Sequence, residues 1–143
     1  MQFSIKRDVL LKSLNFAQGV IEKKNTLPIL SNVLLKAEQN KLFIVATDLD
    51  IIFYDELDEV KITKEGSTTT SVAILYDILR KISSNSEVYF QLKNKNKLSL
   101  KTDNSDFNLL CLPTDDFPNF ANDFEDNNIP INKSKFFGDI QKM

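Results

Sequence analysis

FSIKRDVLLKSLNFAQGVI, from Phe3 to Ile21, changes its hydrophobic period partway along. Phe3 and Ile5 alternate with Ser4 and Lys6, the two-residue repeat of a strand with one buried face. From Asp8, which can cap or open a helix, Leu10, Leu11, Leu14, Ala17 and Ile21 recur at three or four residues, one apolar stripe of an α-helix. Asp8, Lys12, Asn15 and Gly19 fall on the opposite face. A strand that runs into an amphipathic helix cannot bury both apolar faces by itself, so a sheet must lie under the helix.

The following residues supply that sheet. Strands are predicted over Ile29 to Ala37, Leu42 to Ala46, Ile51 to Leu57, Val60 to Thr63 and Thr68 to Val72. Pro28 suits the loop ahead of the first of these, Asn40 and Asp48-Leu49-Asp50 mark turns, and Gly66 suits a turn that needs positive φ. A second helix is predicted over Ala73 to Ile82, with Leu75, Ile78, Leu79 and Ile82 inward and Asp77, Arg80 and Lys81 outward. Val88 to Leu92, Leu98 to Lys101 and Phe107 to Leu112 complete an α+β plan: two helices packed on one face of an antiparallel sheet of about eight strands.

Residues 113–128 break the pattern, with two prolines, Asp115, Asp116, Asp123, Glu125 and Asp126, and no Lys or Arg. This composition reads as a linker closing a first domain of residues 1–125. Ile129, Ile131, Phe136, Phe137 and Ile140 then repeat Phe3, Ile5, Leu10, Leu11 and Leu14 at a constant offset of 126 positions. Residues 129–143 are therefore expected to be the truncated start of a second, similar domain.

Composition removes several function classes. There is no histidine, which excludes Ser-His and Cys-His catalysis and His-based metal ligation. Cys111 is the only cysteine, so neither an intrachain disulfide nor a multi-thiolate zinc site can form, and its Leu neighbours suggest a small buried hydrophobe. With a net charge of -2 and a pI near 5.2, the chain lacks the basic balance of a simple DNA-adhering module, though a basic patch on an acidic body remains open. No stretch is apolar enough for a signal peptide or a membrane span, so a cytoplasmic protein with no membrane partner is expected.

Two groups of residues could carry function. The acidic run Asp48, Asp50, Asp55, Glu56, Asp58 and Glu59 could in principle bind Mg²⁺ in a carboxylate-dependent metal hydrolase. Yet Asp55 and Glu56 should point to opposite faces of a strand, Asp48 and Asp50 sit where a turn favours Asp, and no phosphate loop accompanies them. The residues therefore point to no catalytic site, metal or cofactor. The basic residues are better organised. Lys6 and Arg7 precede the first helix, Lys12 lies on its exposed face, Lys23 and Lys24 follow it, and Arg80 and Lys81 lie on the exposed face of the second. If the helices lie side by side, these charges share one surface that attracts phosphates over a Debye length of about 8 Å.

Three segments at fixed spacing, TLPILSNVLL (Thr26 to Leu35), ATDLDI (Ala46 to Ile51) and LPTDDFPNF (Leu112 to Phe120), resemble the bacterial DNA polymerase III β sliding clamp family. The opening FSIKRDVLLKSL and the segment TTTSVAILYDILRKI are similar to it too, so the resemblance covers essentially the whole chain. It implies a DNA-clamp fold and a processivity factor with no chemistry of its own. Such clamps are head-to-tail homodimers of three similar domains per subunit. Helices line the hole around duplex DNA, and sheets form an outer shell expected to repel it. A loader places the ring, which then tethers DNA polymerase III. The resemblance puts Lys24 where a basic residue commonly reaches DNA, and Lys12 and Arg80 on the lining faces. Ala73 and Ile74 depart from a helix start that is often basic. Phe107 and Leu109 fall on the subunit-contact strand, but Asn104 and Asp106 are not the basic residues that form ion pairs there in some members. The pocket for partner peptides belongs to later domains, and this chain alone is expected to be monomeric.

Overall fold

The computed structural model describes residues 1–21 and 28–118. Lys23, Lys24, the later part of the expected linker and residues 129–143 lie outside them. In chain order the elements are β1 (Gln2–Lys6), α1 (Arg7–Val20), β2 (Asn32–Glu38), β3 (Lys41–Thr47), β4 (Ile52–Leu57), β5 (Val60–Lys64), β6 (Gly66–Ser71), α2 (Val72–Lys81), β7 (Glu87–Asn94), β8 (Lys97–Lys101) and β9 (Asp106–Leu112). The α+β plan holds, with nine strands in place of about eight.

All strand pairings are antiparallel, in the order β4-β3-β2-β6-β9-β8-β7-β1-β5. The order has one weak seam. β6 and β9 meet only at Thr69↔Leu112 and Thr70↔Cys111, whereas β8 pairs along its whole length with residues 106–110 of β9. Two half-sheets result, β4-β3-β2-β6 and β9-β8-β7-β1-β5. The side of β9 away from β8 carries no strand over residues 106–110 among the described residues.

Both helices cover the inner face. Leu10, Leu14 and Ala17 of α1 and Leu75 and Leu79 of α2 are fully buried against Phe3, Ile5, Leu35, Leu42, Ile44, Leu98 and Leu100. Phe3 stacks on Phe90, its cross-strand partner, with ring centroids 4.8 Å apart. Each such leucine contributes about 1.5–3 kcal/mol by leaving water, so these buried rows decide how the helices sit. The expected stripes are right in direction and differ at their margins. Ser13 and Val20 are buried where Leu11, Ile21 and Ile78 are only half-buried.

Local chemistry resolves one sequence reading and corrects two. Of the two roles expected for Asp8, it opens α1 from the first turn and does not cap it: the capping position is Lys6, which makes no side-chain cap. Residues Pro28–Ser31 form a 3-10 turn, so β2 starts only at Asn32. Gly66 is not at positive φ. It opens β6, and the space its missing Cβ would fill is 2.8 Å from Met1 Cβ, so close approach is the reason only glycine fits. Left-handed backbone lies elsewhere. Gln39 (φ 54°) and Asn40 (φ 61°) make a two-residue hairpin between the paired Glu38 and Lys41.

Candidate nucleic-acid interface

The polar faces of α1 and α2 form one surface, as the sequence led one to expect if the helices packed together. Hydrogen bonds from two side chains tie them. Tyr76 Oη donates to Asn15 Oδ1 at 3.1 Å, and Arg7 Nε donates to Leu79 O at 2.8 Å. Ser71 begins α2 by accepting from Ile74 N at 3.3 Å, and Arg80 and Lys81 occupy the last turn, where the helix dipole favours cations. Arg80 lies over the Tyr76 ring, its guanidinium carbon 5.6 Å from the centroid. Arg7, Asp8, Leu11, Lys12, Asn15 and Tyr76 line a shallow open hollow between the helices. Within the two helices, Arg7, Lys12, Arg80 and Lys81 face two carboxylates, Asp8 and Asp77, which leaves the layer positive on a chain that is negative overall.

The basic residues are not equivalent. Lys12, Arg80 and Lys81 are exposed and can reach a ligand. Arg7 is occupied: besides Leu79 O it donates to Arg80 O at 3.4 Å and to Asp8 Oδ1 at 2.9 Å, and its side chain is only 16% exposed. Asp8 is held below the usual carboxylate range chiefly by the hydrogen bond from Arg7, against a smaller opposing effect of burial. Its other oxygen accepts from Asn85 N at 3.2 Å. Arg7 thus clasps the C-terminal end of α2 to the start of α1, a role that its position before a helix did not reveal.

In the expected subunit-contact strand, alternation decides which side chains face out. Strand alternation turns Phe107, Leu109 and Cys111 inward, and Leu109 is 3% exposed within this chain's own core, so its side chain is not available to a partner. Phe107 is half-buried; the residues of β9 that face out are Asn108, Leu110 (85% exposed) and Leu112. What β9 leaves open is backbone, beside residues 106–110. Cys111 is a buried thiol, pushed up by burial and eased by a contact from the Thr68 hydroxyl.

Three of the carboxylates at 48–59, Asp48, Asp55 and Glu56, serve local structure. Asp48 Oδ1 accepts from Asp50 N and Ile51 N, which together with Thr47 Oγ1 holds Leu49 at φ 81°. Asp55 faces inward and accepts from Glu56 N, while Glu56 faces out and binds Lys41 at 2.8 Å. Among the described residues no three His, Cys, Asp or Glu side chains gather closely enough to hold a metal ion, and no helix is long and apolar enough to cross a membrane.

Charge is unevenly distributed over the outer face, where the resemblance implies an outside that repels DNA. The outer face of β4-β3-β2-β6 is balanced, its Lys36 and Lys41 bound to Glu38 at 3.1 Å and Glu56 at 2.8 Å. The outer face of β5-β1-β7-β8-β9 is not. Its positions, opposite Phe3, Ile5, Val88 and Phe90, hold Lys6, Lys61, Lys64, Lys97 and Lys101 against Glu87 and Asp106. These lysines are separate in sequence, and only the strand register puts them together.

Comparison with known proteins places the chain firmly. The family model for the DNA polymerase III beta subunit, N-terminal domain, matches residues 1–121. A beta sliding clamp of Caulobacter vibrioides strain NA1000 is 36% identical over 143 residues, covering 99% of this chain and 38% of that protein. Crystal structures of the DNA polymerase sliding clamp of Caulobacter crescentus (40% identity) and the DNA polymerase III subunit beta of Pseudomonas aeruginosa (34%) both superpose with a TM-score of 0.79, each over 83% of this chain and 32% of the other. The chain therefore spans about a third of the length of these relatives.

Proposed function

Because the chain belongs to the DNA polymerase III β-subunit family through that family's N-terminal domain, we propose that it is the first domain of a sliding clamp and supplies part of a DNA-facing lining. The longer protein forms a homodimeric ring around duplex DNA in the cytoplasm, and tethers DNA polymerase III after a clamp loader has placed it. It has no catalytic site of its own. One observation carries this reading: α1 and α2 are locked side by side with Lys12, Arg80 and Lys81 exposed on a net positive layer, while the chain as a whole is acidic. Lys23 and Lys24, which lie outside the described residues, are proposed to supply charge to the same lining. A ring is retained by topology, so each cation needs to attract phosphate only weakly, and weak attraction leaves the ring free to slide. The polar clasp made by Arg7, Asn15 and Tyr76 keeps the lining rigid.

The open backbone of β9 beside residues 106–110 supports a subunit contact made by strand addition, with Phe107 and Leu110 flanking it. The matching edge lies in a later domain, so residues 1–143 alone stay monomeric. The carboxylate-hydrolase alternative has nothing to recommend it, since Asp48, Asp55 and Glu56 are spent on a turn, a strand backbone and a lysine.

The test uses full-length protein carrying Lys12→Glu, Lys24→Glu and Arg80→Glu, loaded onto nicked circular DNA. Reversing three charges should shorten retention and steepen its salt sensitivity, while linearising the DNA releases variant and parent alike. Unchanged loading and retention in the triple variant would leave a pure interaction domain without DNA contact.

A further inference from the structure

The lysines on the outer face of β5-β1-β7-β8-β9 form a pattern. Strand register aligns Lys61, Ser4, Tyr89, Lys101 and Asp106 in one row across five strands, and Lys64, Gln2, Gln91, Ser99 and Asn108 in the next. Lys97 stands beyond the second row, beside Leu110. Tyr89 lies in the middle of the first row, 49% exposed, with Lys101 as its direct cross-strand neighbour. Lys6, Lys61, Lys64 and Lys97 make no ion pair among the described residues, and the Lys101–Asp106 pair is loose at 4.0 Å. The adjacent half-sheet shows that pairing is available when the sequence provides it, since both of its outer lysines are neutralised.

We propose that this outer face is a second nucleic-acid surface, separate from the helix lining, which binds single-stranded DNA with lysines on its phosphates and Tyr89 stacked on a base. Three features select this ligand. The face is a broad polar sheet with an exposed aromatic at its centre and cations on either side, the combination that sequence-tolerant single-strand binders use. Gln2, Gln91 and Asn108 offer donors and acceptors to base edges next to that aromatic. A peptide that adds as a strand would dock at a sheet edge, such as β9 beside residues 106–110, whereas the rows cross the paired interior strands β1, β7 and β8. Duplex DNA is a stiff rod that would meet only part of a twisted sheet, whereas a single strand can follow it. Strands about 4.8 Å apart make the face roughly 19 Å wide, room for about four nucleotides.

The experiment is fluorescence anisotropy of a labelled oligothymidylate with residues 1–143, from low salt upward. Four phosphate contacts give a slope of log affinity on log salt near −3, at about −0.7 per contact. Lys64→Glu with Lys97→Glu should lower affinity at least tenfold and flatten that slope by about 1.4. Tyr89→Ala should lower it about fivefold or more, and Tyr89→Phe should restore it, because the ring and not the hydroxyl stacks. Lys36→Glu with Lys41→Glu on the adjacent half-sheet makes the same charge change and should leave binding as it was. All these side chains are exposed, and thermal melting by circular dichroism establishes that each variant is folded. Failure of the parent chain to bind, or binding that survives the Lys64 and Lys97 changes, overturns the proposal. So does loss caused by Lys12→Glu and not by the sheet variants, which assigns the affinity to the helix lining. Displacement by polyglutamate as effective as by an oligonucleotide of equal charge reduces the face to a general cationic patch, and likewise overturns it.

Discussion

Arg7→Met is the sharpest perturbation the structure offers, because it keeps the aliphatic stem and removes the clasp between the helices. The Nε–H bond to Leu79 O, at 2.8 Å and part-buried, is charge-assisted and contributes about 1.5–3 kcal/mol. The Nη2 contact to Arg80 O is 3.4 Å long and exposed, so it adds little. A cation at the end of α2 interacts favourably with the helix dipole by about 0.3–1 kcal/mol. The pair with Asp8 involves a solvent-exposed carboxylate and is left out of the sum. The expected loss is about 2–4 kcal/mol, which in a domain of this size lowers Tm by about 8–16 °C. Urea unfolding of residues 1–143, followed by circular dichroism, measures it. Arg7→Lys should recover no more than half, because an ammonium cannot reproduce the fork that reaches Leu79 O, Arg80 O and Asp8 together. The comparison also separates two roles. If Arg7 serves DNA directly, Arg7→Met weakens DNA retention in the full-length protein while leaving Tm intact. If it serves the helix pair, Tm falls first. A change in unfolding free energy below about 0.5 kcal/mol would refute the clasp.

Two further outcomes follow from particular contacts. Gly66→Ala places a Cβ 2.8 Å from Met1 Cβ and 3.1 Å from Met1 Cα and N, so backbone must shift; a net loss of about 1–2 kcal/mol is expected after the entropic gain of replacing glycine, and a urea midpoint at or above that of the parent would contradict the close approach. Tyr54 is pushed up to about 12, mainly by burial and then by Glu56 and Glu38. A raised phenol favours the neutral form in the folded state, so its contribution is intact below the ordinary value of about 10 and is lost as pH rises through about 12. Absorbance at 295 nm should show one of the three tyrosines ionising about two units late, and Tyr54→Phe should remove both that late step and its share of the alkaline loss of stability.

How much of this was legible in the sequence depends on the range of the interaction concerned. Periodicity is a local property, so the strand and helix over Phe3 to Ile21 and the second helix were readable, as were the Asp48 turn and the buried state of Cys111. Gly66 was misread and the clasp made by Arg7 was missed for one reason: each answers to a residue far along the chain, Met1 in one case and Leu79 in the other. A glycine between strands fits a positive-φ turn equally well, and an arginine before a helix fits a ligand contact equally well, until the distant partner is known. Leu109 shows a different limit. A strand's position in a fold can be inferred from resemblance, but which side chains it presents follows from alternation, and alternation turns Leu109 inward.

The outer lysines carry the point furthest. Lys61 and Lys64 sit on β5, Lys97 and Lys101 on β8, and Lys6 on β1, so no window of sequence contains them together. Net charge conceals them as well, because the acidic residues of the linker and of the turns outweigh them in the sum. Charge becomes a surface property only through register, and a register shift of one residue would turn Lys61 and Lys101 toward the core and leave Ile62 and Leu100 in water. The buried alternation of Phe3, Ile5, Val88, Phe90, Leu98 and Leu100 therefore does two things at once. It holds the half-sheet under the helices, and by the same constraint it brings lysines from three strands onto the opposite face. The apolar residues decide where the cations go, so a basic outer face and a basic helix lining can coexist on a chain whose net charge is negative.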